Sequence, residues 1–380
     1  MKVVHLALGK ANPARMNGVN VAVHALATHQ RRAGIPAEVW GLTRTPEADA
    51  GPPREYPLRL FPRPGMPLAL PAGLREALDG LGADAVVHFH GGFVPFFYPI
   101  ARHLAATGRP YLLTPHGAYN RRAMEKGGVW KKLYTALFER PLVRGAASVH
   151  CVGRSEAEEL PRRFGPVPWF VVPNGHEPGR VFQGSGKAAR SGRPLLGYCG
   201  RIDMRAKGLD VMAKAFAAYR AGGGTGTLWI IGDGPDLPRL KRALGDGDAA
   251  VFWGARFGEE KERLLAELDA FVYPSRHEGF PMGVLEAAAL GCCLIVSQET
   301  NAGEYVRRHG AGFVLREGSA EELRAAFWEL EAAGRRGGWA AFGAAARRMI
   351  EEDLNWSRVV RDLVPHYREA LERWTAGRGA

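Results

Sequence analysis

The sequence predicts an α/β protein of two parallel-sheet domains, and three observations carry that expectation. The chain has 380 residues, more than the roughly 100–200 that one ordinary domain holds. Short β-branched runs alternate with longer helical patterns along most of it, as parallel sheets with helices on both faces require. One stretch breaks the alternation. Residues 177–193 carry Gly179, Gly184, Gly186 and Gly192 among serine and basic residues, without periodicity, and read as a linker. The expected division is a first domain over 1–176, a linker over 177–193 and a second domain over 194–355.

The elements follow in order. Strands are expected at Lys2–Gly9, Ala37–Leu42, Asp84–His90, Pro110–Pro115, Ala147–Val152 and Pro168–Val172. Helical periodicity marks Asn20–Ala33, Gly73–Leu81 and Ser155–Phe164, the last opened by a capping-box pair, Ser155 and Glu158. The second half adds strands at Pro194–Cys199, Thr227–Ile231, Ala249–Trp253, Ala270–Tyr273 and Cys293–Ser297. Helices from about Ala320 to Trp374 close the chain.

Composition sets limits but names no function. A hydrophobic share of 46% with 24% charged residues excludes a largely disordered chain. Lys and Arg number 51 against 39 Asp and Glu, a net charge of +12. That excess suits a polyanionic substrate, an anionic membrane or a nucleic acid, without choosing among them. No aromatic–basic signature of an RNA-binding module is present, so nucleic acid is not the expected partner. The four cysteines, Cys151, Cys199, Cys292 and Cys293, include no Cys-x-x-Cys pair, which favours a reducing compartment over a zinc or disulfide framework. Met1–Gly9 is too short and interrupted for a secretory signal. No uncharged apolar run approaches the ~18–20 residues of a membrane span. A cytoplasmic protein is expected, with peripheral contact at the inner face of the membrane as an option.

Several familiar motifs fail. No Gly-x-Gly-x-x-Gly follows the first strand, and Gly184-Ser185-Gly186-Lys187-Ala188 lacks the glycine and hydroxyl of a nucleotide-hydrolysing P-loop. His88-Phe89-His90 puts two imidazoles on one strand face, but no third ligand is evident in the sequence, so strand-end histidines are expected rather than a metal site. Asp246-Gly247-Asp248 has the look of a cation-holding pair, yet it sits where surface turns use Asp and Gly.

The second half carries stronger signals. Gly200-Arg201 ends a strand, and Lys207-Gly208-Leu209-Asp210 opens a helix. A strand end, two cations and a helix N-terminus make a natural diphosphate pocket. Further on, Ser275-Arg276-His277-Glu278-Gly279-Phe280-Pro281-Met282-Gly283-Val284-Leu285-Glu286 places Pro281 at a first helical position, with Glu278 just before the helix and Glu286 inside it. A carboxylate beside the apolar run Ala287–Leu290 needs a partner, and paired hydroxyls of a sugar or ribose are good ones. Ordinary helix carboxylates are the plainer reading.

Taken in order, these motifs resemble the donor half of retaining glycosyltransferase family 4. Arg201…Lys207 and Glu278-x₇-Glu286 carry the resemblance, joined by Val172-Pro173-Asn174-Gly175, Ile230–Pro235, Val251–Gly254 and Phe271–Ser275. Residues 356–380 resemble the family's closing helix, which returns to the first domain. Asn17-Gly18 stands where the family has two glycines, so Gly18 fits and Asn17 departs; His116 in Thr114-Pro115-His116-Gly117 falls where the family has a histidine beside the donor sugar.

The resemblance implies the GT-B arrangement, two Rossmann-like domains facing a cleft, with the donor in the C-terminal half and the acceptor in the N-terminal half. It implies transfer of a sugar from a UDP- or GDP-type donor to an acceptor hydroxyl, with retention, in polysaccharide or glycolipid assembly. Arg201 and Lys207 would neutralise the leaving diphosphate, with Gly200 beside them and the Gly18 N–H as a further donor. Glu286 would hold ribose hydroxyls. Glu278 and the loop Gly279-Phe280-Pro281-Met282-Gly283, through the backbone N–H groups of its residues other than proline, would hold sugar hydroxyls, and His116 would position the sugar. With two cations in place, no metal or other cofactor is expected. The alternatives are a metal-dependent transferase using Asp246 and Asp248, or a non-catalytic basic protein that binds surfaces or nucleic acid.

One stretch bears on the acceptor. Between Arg121 and Arg144 lie Arg122, Lys126, Lys131, Lys132 and Arg140, against Glu125 and Glu139. Trp130, Leu133, Tyr134, Leu137 and Phe138 fall on one helical stripe. The plain expectation is that this stripe packs into the first domain. The functional alternative is an amphipathic surface on anionic lipid, where a lipid-linked acceptor would be presented.

Overall fold

The computed structural model describes residues 1–12, 18–47, 53–66, 68–125, 128–179, 192–245 and 247–376. It divides into two compact units. Unit one comprises Met1–Asn174 and Trp356–Ala380, and unit two Gly175–Asn355. Residues 180–191 of the expected linker lie outside the described residues.

Unit one is built on seven parallel strands: β1 (Lys2–Leu8), β2 (Ala37–Thr43), β3 (Leu58–Pro62), β4 (Ala85–His90), β5 (Tyr111–Thr114), β6 (Ser148–Cys151) and β7 (Trp169–Val171). Their spatial order is β3-β2-β1-β4-β5-β6-β7. Because side chains alternate across a strand, the register sorts the two faces. Val4 and Leu6 of β1 join Val87 and Phe89 of β4 on an apolar face, packed with Leu78, Phe97, Leu104 and Leu160 from the covering helices. The opposite face carries His5 opposite His88, and His90 opposite Thr114. Helices Gly18–Arg32 and Trp356–Ala376 cover that second face.

Unit two has six parallel strands: β8 (Leu195–Cys199), β9 (Thr227–Ile231), β10 (Ala250–Gly254), β11 (Ala270–Tyr273), β12 (Cys293–Ser297) and β13 (Gly312–Leu315). They run in the order β10-β9-β8-β11-β12-β13. Helix Ala320–Arg335 opens on a capping box: Ser319 Oγ accepts from Glu322 N at 3.1 Å, and the Glu322 carboxylate accepts from the N–H groups of Glu317 and Gly318, both at 2.9 Å.

Four sequence readings need correction. Strands β3 and β13 were not expected; β3 is an edge strand ending on Pro62, where proline is tolerated, and β13 is an edge strand of the second sheet and opens on Gly312. The helix expected from Ser155 begins at Arg154 after Gly153, with no side-chain cap. Pro281 is the residue before helix Met282–Ala289, not its first position. The stripe Trp130–Phe138 does not pack as one face. Phe138 meets Tyr98 at 5.3 Å and Tyr134 meets Phe93 at 6.2 Å, while Trp130, Leu133 and Leu137 are exposed. Buried Glu139 explains the rotation. It closes the π-helical turn Thr135–Glu139, accepts from Tyr119 Oη–H and, at 2.7 Å, from Phe93 N–H, and so fixes which side faces inward.

Among the described residues no helix is long and apolar enough to cross a membrane. All four cysteines are free thiols, three of them buried.

Candidate functional site

In unit two the strand order reverses between β8 and β11: β8 continues to β9 and β10, while β11 continues to β12 and β13. Loops leaving the carboxyl ends of these two neighbours run in opposite directions and open a crevice, the ordinary ligand position of such sheets. The loop after β8 carries Gly200, Arg201 and Lys207. The loop after β11 carries Ser275 through Pro281. The motifs read as separate signals in the sequence thus flank one crevice.

Close backbone approach shapes it. Gly208 precedes helix Leu209–Ala221 at φ +65°, and a Cβ there would meet the Pro274 carbonyl oxygen at 2.0 Å. A Cβ on Gly232, at φ +148°, would meet the Gly200 carbonyl oxygen at 1.9 Å. Only glycine fits either place.

Charged side chains cross-brace the two loops. Lys207 Nζ donates to Glu278 Oε1, and both side chains are largely covered. The same Glu278 oxygen accepts from Ser275 Oγ at 3.0 Å and Tyr273 Oη at 3.2 Å. Burial, followed by the Glu278 charge, pushes the Tyr273 phenol well above its ordinary range, so it remains a donor. Arg276 grips Asp210 through two bonds of 2.6 and 2.8 Å. Burial alone would raise the Asp210 carboxyl, but Arg276 holds it below its usual value. Arg201 is exposed and donates to Asp203 Oδ2 at 2.9 Å.

Glu286 sits one turn into helix Met282–Ala289 and accepts from Lys261 Nζ at 2.8 Å. Burial works against the Lys261 charge, yet Glu286 keeps the ammonium above its ordinary pKa. Neighbouring Cys199 is pushed up to about 12 by burial and then by Glu286, so its thiol is no nucleophile at neutral pH. Asn301, itself at φ +59°, donates through Nδ2 to the carbonyl oxygens of Glu278 at 3.0 Å and Gly279 at 2.7 Å. Phe280 is buried against Tyr305. Lys261, Tyr273 and Asn301 were missed in the sequence. Lys261 and Asn301 act on partners more than 20 residues away, and no local spacing marks them.

In unit one, His116 follows β5 at φ +53°, a conformation uncommon for a residue with a side chain. Its loop is tied down by Glu156, fully buried, which accepts from Gly117 N at 2.6 Å and Tyr119 N at 3.4 Å. Burial pushes the Glu156 carboxyl up to about 7. His116 borders a narrow recess with His90, Thr114, His150, Asn174 and Trp356. Burial pushes its imidazole down to about 3, so it is neutral at physiological pH. Gly18 is the exposed first residue of its helix, with open space where a side chain would stand; Asn17 lies outside the described residues.

Two metal readings are placed as well. His88 and His90, which lacked a third ligand in the sequence, acquire one: nitrogens of His5, His88 and His90 lie within 4.8 Å of one another. The third came from a strand 83 residues away, paired through register (His5 with His88). Asp248 is exposed in a turn before β10, at the opposite end of the strands from Arg201 and Glu278. Asp246 lies outside the described residues.

Comparison with known proteins gives matches over both units. Residues 16–180 match the family description Glycosyltransferase Family 4, and residues 193–332 match Glycosyl transferases group 1. A GDP-mannose-dependent alpha-mannosyltransferase of Mycobacterium tuberculosis is 26% identical over 95% of both chains. A glycogen synthase of the same organism is 30% identical over 76% of this chain and 70% of its own. Among solved structures, sucrose-phosphate synthase from Thermosynechococcus elongatus superposes with a TM-score of 0.74 at 18% identity, over 98% of this chain and 100% of its own.

Proposed function

Since the chain belongs to glycosyltransferase family 4, a nucleotide-sugar glycosyltransferase of GT-B fold, we propose that it transfers a hexosyl group from a UDP- or GDP-sugar to an acceptor hydroxyl with retention and without a metal. Mannose and glucose are the first donors to consider, given a GDP-mannose-dependent relative and a glycogen synthase. The observation that carries the reading is the β8/β11 crevice, where two glutamates each already hold a lysine.

The roles follow from that geometry and from the family resemblance. Arg201 and Lys207 take the diphosphate, Glu286 the ribose hydroxyls, and Glu278 the sugar hydroxyls with the N–H groups of Gly279, Phe280, Met282 and Gly283. Lys207 and Glu278 compensate each other before substrate arrives. On binding, the lysine turns to phosphate and the carboxylate to hydroxyls, each exchanging one partner for another. His116 and the Gly18 N–H are assigned to the sugar and the diphosphate by resemblance. In the reaction the bond from C1 to the diphosphate oxygen breaks and a bond from C1 to the acceptor oxygen forms on the same face. The acceptor proton passes to the departing phosphate oxygen.

The acceptor is a glycan or a lipid-linked sugar, met at an anionic membrane. Trp130, 82% exposed, and Val129, 77% exposed, stand with Leu133 and Leu137 beside exposed Lys132. Tryptophan with basic neighbours is the composition of an interfacial surface. Nucleic acid is not a partner in this reading.

The test is hydrolysis of a panel of UDP- and GDP-hexoses, without acceptor and in excess EDTA. One donor should be cleaved in chelator. Cleavage that requires added Mn²⁺ or Mg²⁺ would overturn the metal-free reading.

A further inference from the structure

On the second face of the unit-one sheet four histidines are buried, His5, His88, His90 and His150, with half-buried His116 in the loop after β5, and eight hydrogen bonds join the five end to end. The links are His116 Nε2 to His90 Nδ1 (3.0 Å), His90 Nε2 to His5 Nδ1 (2.9 Å), His5 Nε2 to Gln30 Oε1 (2.7 Å), and Gln30 Nε2 to Tyr367 Oη (3.2 Å). The chain continues from Tyr367 Oη to His88 Nδ1 (2.7 Å), His88 Nε2 to Thr114 Oγ1 (2.6 Å), Thr114 Oγ1 to His150 Nδ1 (2.8 Å), and His150 Nε2 to the Val172 carbonyl (2.8 Å).

One end fixes the direction of all the rest. A carbonyl only accepts, so His150 carries its proton on Nε2 and, being neutral, leaves Nδ1 as an acceptor. Thr114 must then donate to that nitrogen, and its oxygen accepts from His88 Nε2–H. His88 Nδ1 is left to accept from Tyr367, whose oxygen accepts from the Gln30 amide N–H. The Gln30 carbonyl takes the His5 Nε2 proton, His5 Nδ1 takes that of His90, and His90 Nδ1 takes that of His116. Each of the eight links then has one donor and one acceptor. Neutrality is what burial imposes here: desolvation lowers all five imidazoles, His5 and His150 to about 4.

We infer that this one-way chain fixes His116 as a neutral imidazole with its Nε2 proton turned inward and Nδ1 as its remaining acceptor, and that Gln30 and Tyr367 are positioning residues for the five-histidine layer. The consequence for a donor sugar rests on the role proposed for His116: Nδ1 then accepts from a substrate hydroxyl and never donates to one. The chain itself does not depend on that role. It also argues against metal binding by His5, His88 and His90, because every ring nitrogen of the three is already engaged.

Long-range ¹H–¹⁵N correlation spectra of the full chain at pH 7 read the tautomers directly. All five histidines should show a protonated Nε2 and a bare Nδ1, unchanged by one equivalent of Zn²⁺. A protonated Nδ1 on any of them, or loss of the His5, His88 and His90 signals on zinc, would overturn the proposal. Gln30→Glu supplies a directional test. The carboxylate still accepts the His5 Nε2 proton, but it has no N–H for Tyr367. A negative charge in contact with the His5 ring raises its pKa, so His5 should show the largest rise among the five and keep a protonated Nε2. An unchanged His5, or a His5 protonated on Nδ1 alone, contradicts the direction assigned. If the spectra hold and His116→Ala keeps full transfer, only the role given to His116 fails.

Discussion

Lys207 and Glu278 neutralise each other, as do Lys261 and Glu286, so the crevice in unit two is a pair of exchangeable ion pairs rather than a cluster of free cations. The first-named members of the site were legible in the sequence because Arg201…Lys207 and Glu278…Glu286 sit at fixed spacing around helix starts. Lys261 was not, since the fold alone brings helix Gly258–Glu267 against helix Met282–Ala289. Nor was Asn301, whose work is on two carbonyls of a loop more than 20 residues away. At this scale Arg201→Ala, Lys207→Ala and Glu286→Ala should each lower turnover by ~10²–10³, as loss of one preorganised contact does. Steady-state rates beside circular dichroism check it. Near-normal turnover in any two of the folded variants would remove the donor site from this crevice.

Among the elements, the segment Val129–Arg144 shows how a correct periodicity gave an incomplete result. The stripe is real, but two aromatic pairings use only Tyr134 and Phe138, and the carboxylate of Glu139 sets the rotation from inside. The exposed remainder supports a membrane contact. Sedimentation with anionic vesicles should carry the wild-type chain down at low salt. Each basic residue near such a surface contributes about 1 kcal/mol, so Lys132→Glu, which removes one favourable charge and adds an unfavourable one, should weaken binding roughly thirtyfold. Trp130→Ala should weaken it in neutral and anionic vesicles alike. Wild-type protein that stays in the supernatant would leave a soluble acceptor as the better reading. Strands β3 and β13 escaped the sequence for the opposite reason: an edge strand ending in proline and an edge strand opening on Gly312 carry too little pattern.

Over the whole molecule, most of both parallel sheets was legible because alternation of strand and helix is a long signal, whereas the histidine layer was not. Its members lie 85 residues apart along the chain at His5 and His90, and only register joins them. That layer predicts acid sensitivity. The folded pKa values lie below the unfolded value near 6.5, so the stability they contribute is present above pH 6.5 and is lost as pH falls toward about 4. For the four buried histidines, His5, His88, His90 and His150, the slope near pH 5 is on the order of 5 kcal/mol per pH unit. Glu156 opposes it, since its raised pKa favours the native state as pH falls from about 7 to 4.5, and Glu139, also raised by burial, acts in the same direction, but they are two groups against four. Denaturant titrations at pH 7.5, 6 and 5 should show unit one losing stability steeply; a flat profile would contradict neutral burial of the layer.

The central claim, metal-free and retaining transfer from a nucleotide sugar, is tested most directly by following the reaction with the donor found in the panel. Proton NMR of the product formed in excess EDTA reads both parts at once. The account predicts product in chelator with the anomeric configuration of the donor. Product with the opposite configuration, or none until a divalent cation is restored, would contradict it.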